Sequence, residues 1–196
     1  EADGDEITLS LSGSNGTIRY EADDHGGIRR IIIDGEDFSS GKLSSILRRG
    51  ATGDGRLSVG SLVGEDGLPI ESLRLRTIDL RNVDFTGEGL MIAGADRVML
   101  GSLSGNASIS GNVGRLTLGH VDTDGSLDLG DITSITADSL HVRGGMRIRS
   151  VRTIDIRGEG HFDIDAGDDS SPATINRIRV RGDASGQWTF RGETEV

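Results

Sequence analysis

Apolar residues in this chain recur in pairs at i and i+2, the period of a strand that turns alternate side chains to one side. The clearest series is Leu57/Val59, Ile78/Leu80, Val98/Leu100, Leu116/Leu118, Ile135/Ala137, Ile154/Ile156 and Ile178/Val180, with first members 21, 20, 18, 19, 19 and 24 residues apart. A second apolar position follows five residues after the first, at Leu62, Val83, Leu103, Val121 and Leu140. A third series precedes each: Leu90/Ile92, Ala107/Ile109, Leu127/Leu129, Met146/Ile148 and Phe162/Ile164. A unit of about 19 residues with two or three short strands cannot bury its own apolar face. Stacked at about 4.8 Å, such units hydrogen-bond each strand to its equivalent above and below, and the inward residues become aliphatic ladders. The pattern predicts an all-β parallel β-solenoid. Helical repeats are longer, need a 3.6-residue period, and would be penalised by glycine in their interiors.

The regular coils are expected over residues 51–160, inside a single domain spanning 1–196. Residues 1–50 read as an N-terminal cap and irregular first coils. There Ile7/Leu9/Leu11 and Ile18/Tyr20 form two strands joined through Ser12–Gly16, and Ile31–Ile33 form a third. Leu43, Ile46 and Leu47 fit a short helix, although their neighbours favour another strand. Residues 161–196 read as a loop insertion, Asp163 to Pro172, followed by a C-terminal cap. Trp188 and Phe190 lie where the aliphatic ladders end, as an aromatic plug on the last coil. A solenoid end exposes unpaired strand edges, so these two residues mark the expected site of head-to-tail self-association.

Composition agrees with a thin aliphatic core turned at tight corners: aromatics are 3 %, proline occurs twice and glycine 31 times. Gly94, Gly111, Gly130 and Gly144 fall between the strand pairs, where corners are needed. The net charge of −11 argues against nucleic acid and anionic membrane surfaces as partners. No apolar run is long enough to span a bilayer. The absence of cysteine removes disulfides, thiolate metal sites and cysteine nucleophiles. The chain opens Glu1-Ala2-Asp3-Gly4-Asp5 without a leader pattern, as either a terminus left by cleavage or the boundary of an excised piece would.

The opening Asp3–Gly13, the stretch Gly53-Asp54-Gly55-Arg56-Leu57-Ser58-Val59-Gly60-Ser61-Leu62 and the stretch Gly114-Arg115-Leu116-Thr117-Leu118-Gly119-His120-Val121 resemble the glycine-rich repeat proteins of bacterial surfaces. That resemblance implies a secreted, right-handed parallel β-helix serving as an extracellular surface, adhesion or fibre module. It supplies no catalytic motif.

Parallel β-helices also carry polysaccharide hydrolases and lyases, with surface polysaccharide as substrate or ligand. Hydrolysis would need a protonated and an ionised carboxyl flanking a sugar groove. The candidate pairs are Asp23/Asp24 beside His25, Asp122/Asp124 and Asp168/Asp169. The chain has no Asn-Thr-Asp element and few aromatic platforms, and Lys42 is its only lysine. Acidic pairs of this kind also serve as solvated turn residues. A non-enzymatic module is therefore the expectation, with a polysaccharide hydrolase or lyase, or a Ca²⁺- or carbohydrate-binding adhesion domain, as the alternatives.

For a hard cation, Asp122 and Asp124, with Asp163, Asp165 and Asp168, offer clustered oxygens and are the Ca²⁺ candidates; no other cofactor is expected. In the repeat alignment His120 falls opposite Ser139 and His141 opposite Asp122. The four histidines then share no ladder, which argues against zinc. The same alignment places Asp138 one coil from Arg157 and Asp155 near Arg179, a pattern of charge pairing along one face.

Overall fold

The computed structural model describes residues 5–13, 15–24, 27–35, 40–64, 70–167 and 173–191, and it describes only the backbone of 70–74. It is an all-β solenoid of about six turns. The strands are β1 (Glu6–Ser12), β2 (Thr17–Ala22), β3 (Ile28–Asp34), β4 (Lys42–Arg48), β5 (Leu57–Gly64), β6 (Ile70–Leu80), β7 (Val83–Leu100), β8 (Ala107–Thr123), β9 (Leu127–Ile156), β10 (Gly160–Ala166), β11 (Arg177–Val180), β12 (Ala184–Ser185) and β13 (Trp188–Phe190). Several run through more than one side of a coil, because pairing with the neighbouring coil continues around the corners. Leu43–Leu47 is strand, not helix: its backbone pairs with β1 on one side and, through Lys42–Ser44, with β6 on the other.

Inward ladders make the core, and three of them carry the series read from the sequence. The first runs Leu43, Ile78, Val98, Leu116, Ile135, each the register partner of the next, and continues with Ile154 on Ile178. The second links Leu57 to Val83, Val59 to Phe85, Phe85 to Leu103, Leu103 to Val121 and Val121 to Leu140. The third runs Ile31, Leu62, Leu90, Ala107, Leu127. It resumes with Met146, Ile164 and Trp188. From Leu43 to Ile154 the first ladder is at most 2 % exposed. Each fully buried aliphatic side chain contributes about 1.5–3 kcal/mol.

The register corrects the repeat alignment at three places. Leu57/Val59 belongs to the second ladder, and Leu43 takes its place in the first. Leu103 stacks on Phe85, not Val83, and Leu62 stacks on Leu90. Phe162 lies on Val142, and it is Ile164/Ala166 that covers Met146/Ile148, with a register shift between Phe162 and Ile164. In each case an i, i+2 apolar pair looks the same whichever ladder it serves. Asp163 to Ala166 is therefore strand β10, not the start of a protruding loop; Asp168 to Pro172 lie outside the described residues.

Among the described residues all strand pairs are parallel except two. β1 runs antiparallel on β4, and β2 runs antiparallel on β3, so the first coil is flanked by two antiparallel strands. Asp5, 7 % exposed, ties the start of β1 to the loop between β4 and β5 by accepting hydrogen bonds from the backbone N–H groups of Gly50 (2.7 Å) and Gly55 (2.8 Å). Corners are tight enough to require glycine. A Cβ on Gly105 would lie 2.1 Å from the Gly87 carbonyl oxygen of the preceding coil. One coil later buried Thr123 takes over this corner, its hydroxyl donating to Gly105 O (3.0 Å) and accepting from Gly125 N (2.9 Å).

Candidate functional site

The outward side chains form rows that follow the register, and most acids in them meet an arginine. Arg149 reaches Asp131 (3.2 Å), Arg157 reaches Asp138 (3.1 Å), Arg181 reaches Asp155 (3.4 Å) and Arg191 reaches Asp165 (2.9 Å). In each pair the arginine belongs to the following coil and the aspartate to the preceding one. Asp138 and Arg157 pair as the alignment implied. Asp155 is the register partner of Arg179, but its ion pair goes to Arg181. These pairs are half-exposed and contribute about 0.2–1 kcal/mol each.

The Ca²⁺ candidates are drawn into the same pattern. Arg143 Nη1 lies 2.9 Å from Asp122 Oδ1 and 3.0 Å from Asp124 Oδ1, so one guanidinium bridges both carboxylates. The Asp122 charge, then that of Asp124, raises the Arg143 pKa above its ordinary value. Asp163 Oδ1 accepts the backbone N–H of Gln187 (2.7 Å), and Asp165 holds Arg191. Asp122/Asp124 and Asp163/Asp165 sit on separate strands, β8 with its following turn and β10, and Asp168 lies outside the described residues. Of the hydrolase candidates, Asp23 Oδ1 accepts Gly27 N (2.7 Å), the work of a turn residue. His25 and Asp169 lie outside the described residues.

The register brings together a group that the repeat alignment had separated. Because Phe162 sits on Val142, His161 falls directly on His141, and these two histidines do share a row. Their ring centroids are 4.7 Å apart and their planes inclined by 51°. Glu159 Oε2 lies 3.7 Å from His141 Nε2 and 4.0 Å from His161 Nε2. His161 Nδ1 is 2.6 Å from Ser185 Oγ. The buried His141 Nε2 has no hydrogen-bond partner among the described residues. The signal was present in the sequence as Glu159-Gly160-His161, but only the shift at Phe162 aligns it with His141. Serine, histidine and glutamate here do not form a hydrogen-bonded relay, since 4.0 Å exceeds hydrogen-bond reach.

At the last described coil, Trp188 and Phe190 continue the third ladder, in register with Ile164 and Ala166. They are inward positions with no described coil above them, and they stay 40 % and 37 % exposed. Among the described residues no helix is long and apolar enough to cross a membrane. Compared with protein-family models, with curated proteins and with solved structures, the chain finds no match in any of the three.

Proposed function

We propose that the chain is a non-enzymatic structural module, a stiff β-solenoid that spaces, adheres or assembles outside the cell, as its resemblance to glycine-rich bacterial surface proteins implies. The observation that supports this reading is the use of the surface. Arginine after arginine reaches back one coil to an aspartate, so the outer rows tie coils together just as the inner ladders do. Six coils at about 4.8 Å make a stack only about 29 Å long. A spacer of that length gains reach by continuing across an end. The exposed Trp188 and Phe190 and the parallel edge beside them offer such an end to a second copy of the chain, joined head to tail. Electron microscopy of the purified protein, with sedimentation over a range of concentrations, tests this: stacked or filamentous particles are expected. Turnover of pectin, alginate or a similar acidic polysaccharide by the purified chain would replace the structural reading with an enzymatic one.

A further inference from the structure

We propose that His141, Glu159 and His161 form a binding site for one first-row divalent metal ion of the zinc class, clasping two consecutive coils. Two imidazole nitrogens and a carboxylate oxygen suit zinc and its neighbours better than the hard cations, which favour all-oxygen sets. The three donor atoms lie within 4.8 Å of one another. A zinc ion bonded at about 2.0–2.2 Å needs its ligand atoms about 3.3–3.5 Å apart. The observed 3.7 and 4.0 Å from Glu159 Oε2 to the two imidazole nitrogens are near that spacing, and the two imidazoles, whose donor atoms lie within 4.8 Å, must also draw together as the ion binds. The Glu159 side chain is 58 % exposed and has room to move.

Two further features point the same way. His141 Nε2 is buried without a hydrogen-bond partner among the described residues, which is costly for a polar nitrogen unless something binds there. Ser185 Oγ, 2.6 Å from His161 Nδ1, is the outer partner that metal-ligating histidines commonly keep. When Nδ1–H donates to that hydroxyl, the lone pair sits on Nε2, the nitrogen that faces Glu159. The neighbouring cation does not compete for the site, because Arg143 is held by Asp122 and Asp124. Three protein donors leave a fourth position to water, as befits a site whose histidines remain 29 % and 42 % exposed. The ion would link His141 in β9 to Glu159 and His161 of the next coil, a cross-strand clasp stronger than the surface ion pairs around it.

The test uses the full chain and ZnCl₂ as the probe. Titration calorimetry and metal analysis after gel filtration should give one ion per chain, and added Zn²⁺ should raise the melting temperature by a few degrees. His141→Ala, His161→Ala and Glu159→Gln should each weaken uptake by about tenfold or more, with circular dichroism unchanged. His120→Ala removes a histidine that pairs with Ser139 outside the cluster, and should leave uptake unchanged. Substitution with Co²⁺ should give the intense visible bands of four-coordinate geometry. The proposal is overturned by an absence of saturable uptake. It is equally overturned by uptake that survives the His141→Ala/His161→Ala double variant, or that His120→Ala reduces as much as the cluster variants do.

Discussion

The Trp188 ring lies nearly parallel to that of Phe162, with centroids 5.8 Å apart and planes at 13°, and its indole N–H donates to the Phe162 carbonyl (3.3 Å). The indole thus continues the third ladder over Ile164 and packs beside the Phe162 ring, at the last described coil. Replacing Trp188 with Ala should cost about 1–2 kcal/mol, less than for a fully buried aromatic. The loss should be local. Hydrogen exchange should quicken first in β11 to β13 while β7 to β9 stay protected.

Self-association makes a separate demand on the same residues. Placing charges at both Trp188 and Phe190 should lower the sedimentation coefficient of assembled material while the circular dichroism of the coils persists. If the wild type sediments as a strict monomer at high concentration, and the variant does the same, the head-to-tail contact is removed from the proposal.

Leu116 tests the core register. It is 2 % exposed and lies between Val98 and Ile135. Leu116→Ala should cost about 2–5 kcal/mol. Leu116→Asp should abolish the folded state, because an unpaired carboxylate in the ladder costs several kcal/mol and breaks its coil's contact with the coils on either side. A thermal melt of Leu116→Asp that overlays the wild type would show that the first ladder is assigned wrongly.

Much of this core was legible because a solenoid repeats one physical problem. Ile78, Val98, Leu116, Ile135 and Ile154 solve it identically, so spacing alone aligned them. Legibility failed where a different local solution served the same role. Gly53 gives room to the Asp5 carboxylate, since a Cβ there would lie 1.5 Å from its Oδ1, and this loop separates Leu57 from the coil to which its spacing assigned it. Setting Phe162 on Met146 placed His161 opposite Gly145, and the register shift between Phe162 and Ile164, invisible in the spacing, hid its contact with His141. Register in a sheet has a period of two, and a slip of one pair keeps every side chain on its correct face while giving it the wrong neighbour.

Asp5 gives the fold a dependence on acid. The Gly50 N–H hydrogen bond holds the Asp5 carboxyl below its ordinary value of 3.8; burial pulls the other way, and further backbone donors, Gly55 among them, reinforce the lowering. A carboxyl with a depressed folded pKa contributes stability above its unfolded pKa and loses it as pH falls through the folded value. The melting temperature of the wild type should therefore exceed that of Asp5→Asn by a constant margin above about pH 5. That margin should narrow below about pH 4 as Asp5 protonates. A margin independent of pH down to the acid limit of folding would show that the charge on Asp5 contributes nothing.

The bridge from Arg143 to Asp122 and Asp124 determines how this surface responds to calcium. Both carboxylates already face a guanidinium at about 3 Å, so a Ca²⁺ ion must either displace it or share the acids with a like charge. Millimolar Ca²⁺ should accordingly leave the wild-type melting temperature almost unchanged. Arg143→Ala should itself cost less than about 1 kcal/mol, because the pair is well exposed on both sides. It also leaves Asp122 and Asp124 without their shared cation. Calcium should then raise the melting temperature of Arg143→Ala by a degree or more, and the added replacements Asp122→Asn and Asp124→Asn should abolish that rise. A large Ca²⁺ effect on the wild type, lost in Asp122→Asn/Asp124→Asn, would instead mean that the ion outcompetes Arg143 and that these aspartates form a calcium site in the native chain. No response in Arg143→Ala would mean that the two carboxylates are too few, or too far from further oxygens, to hold the ion even when released.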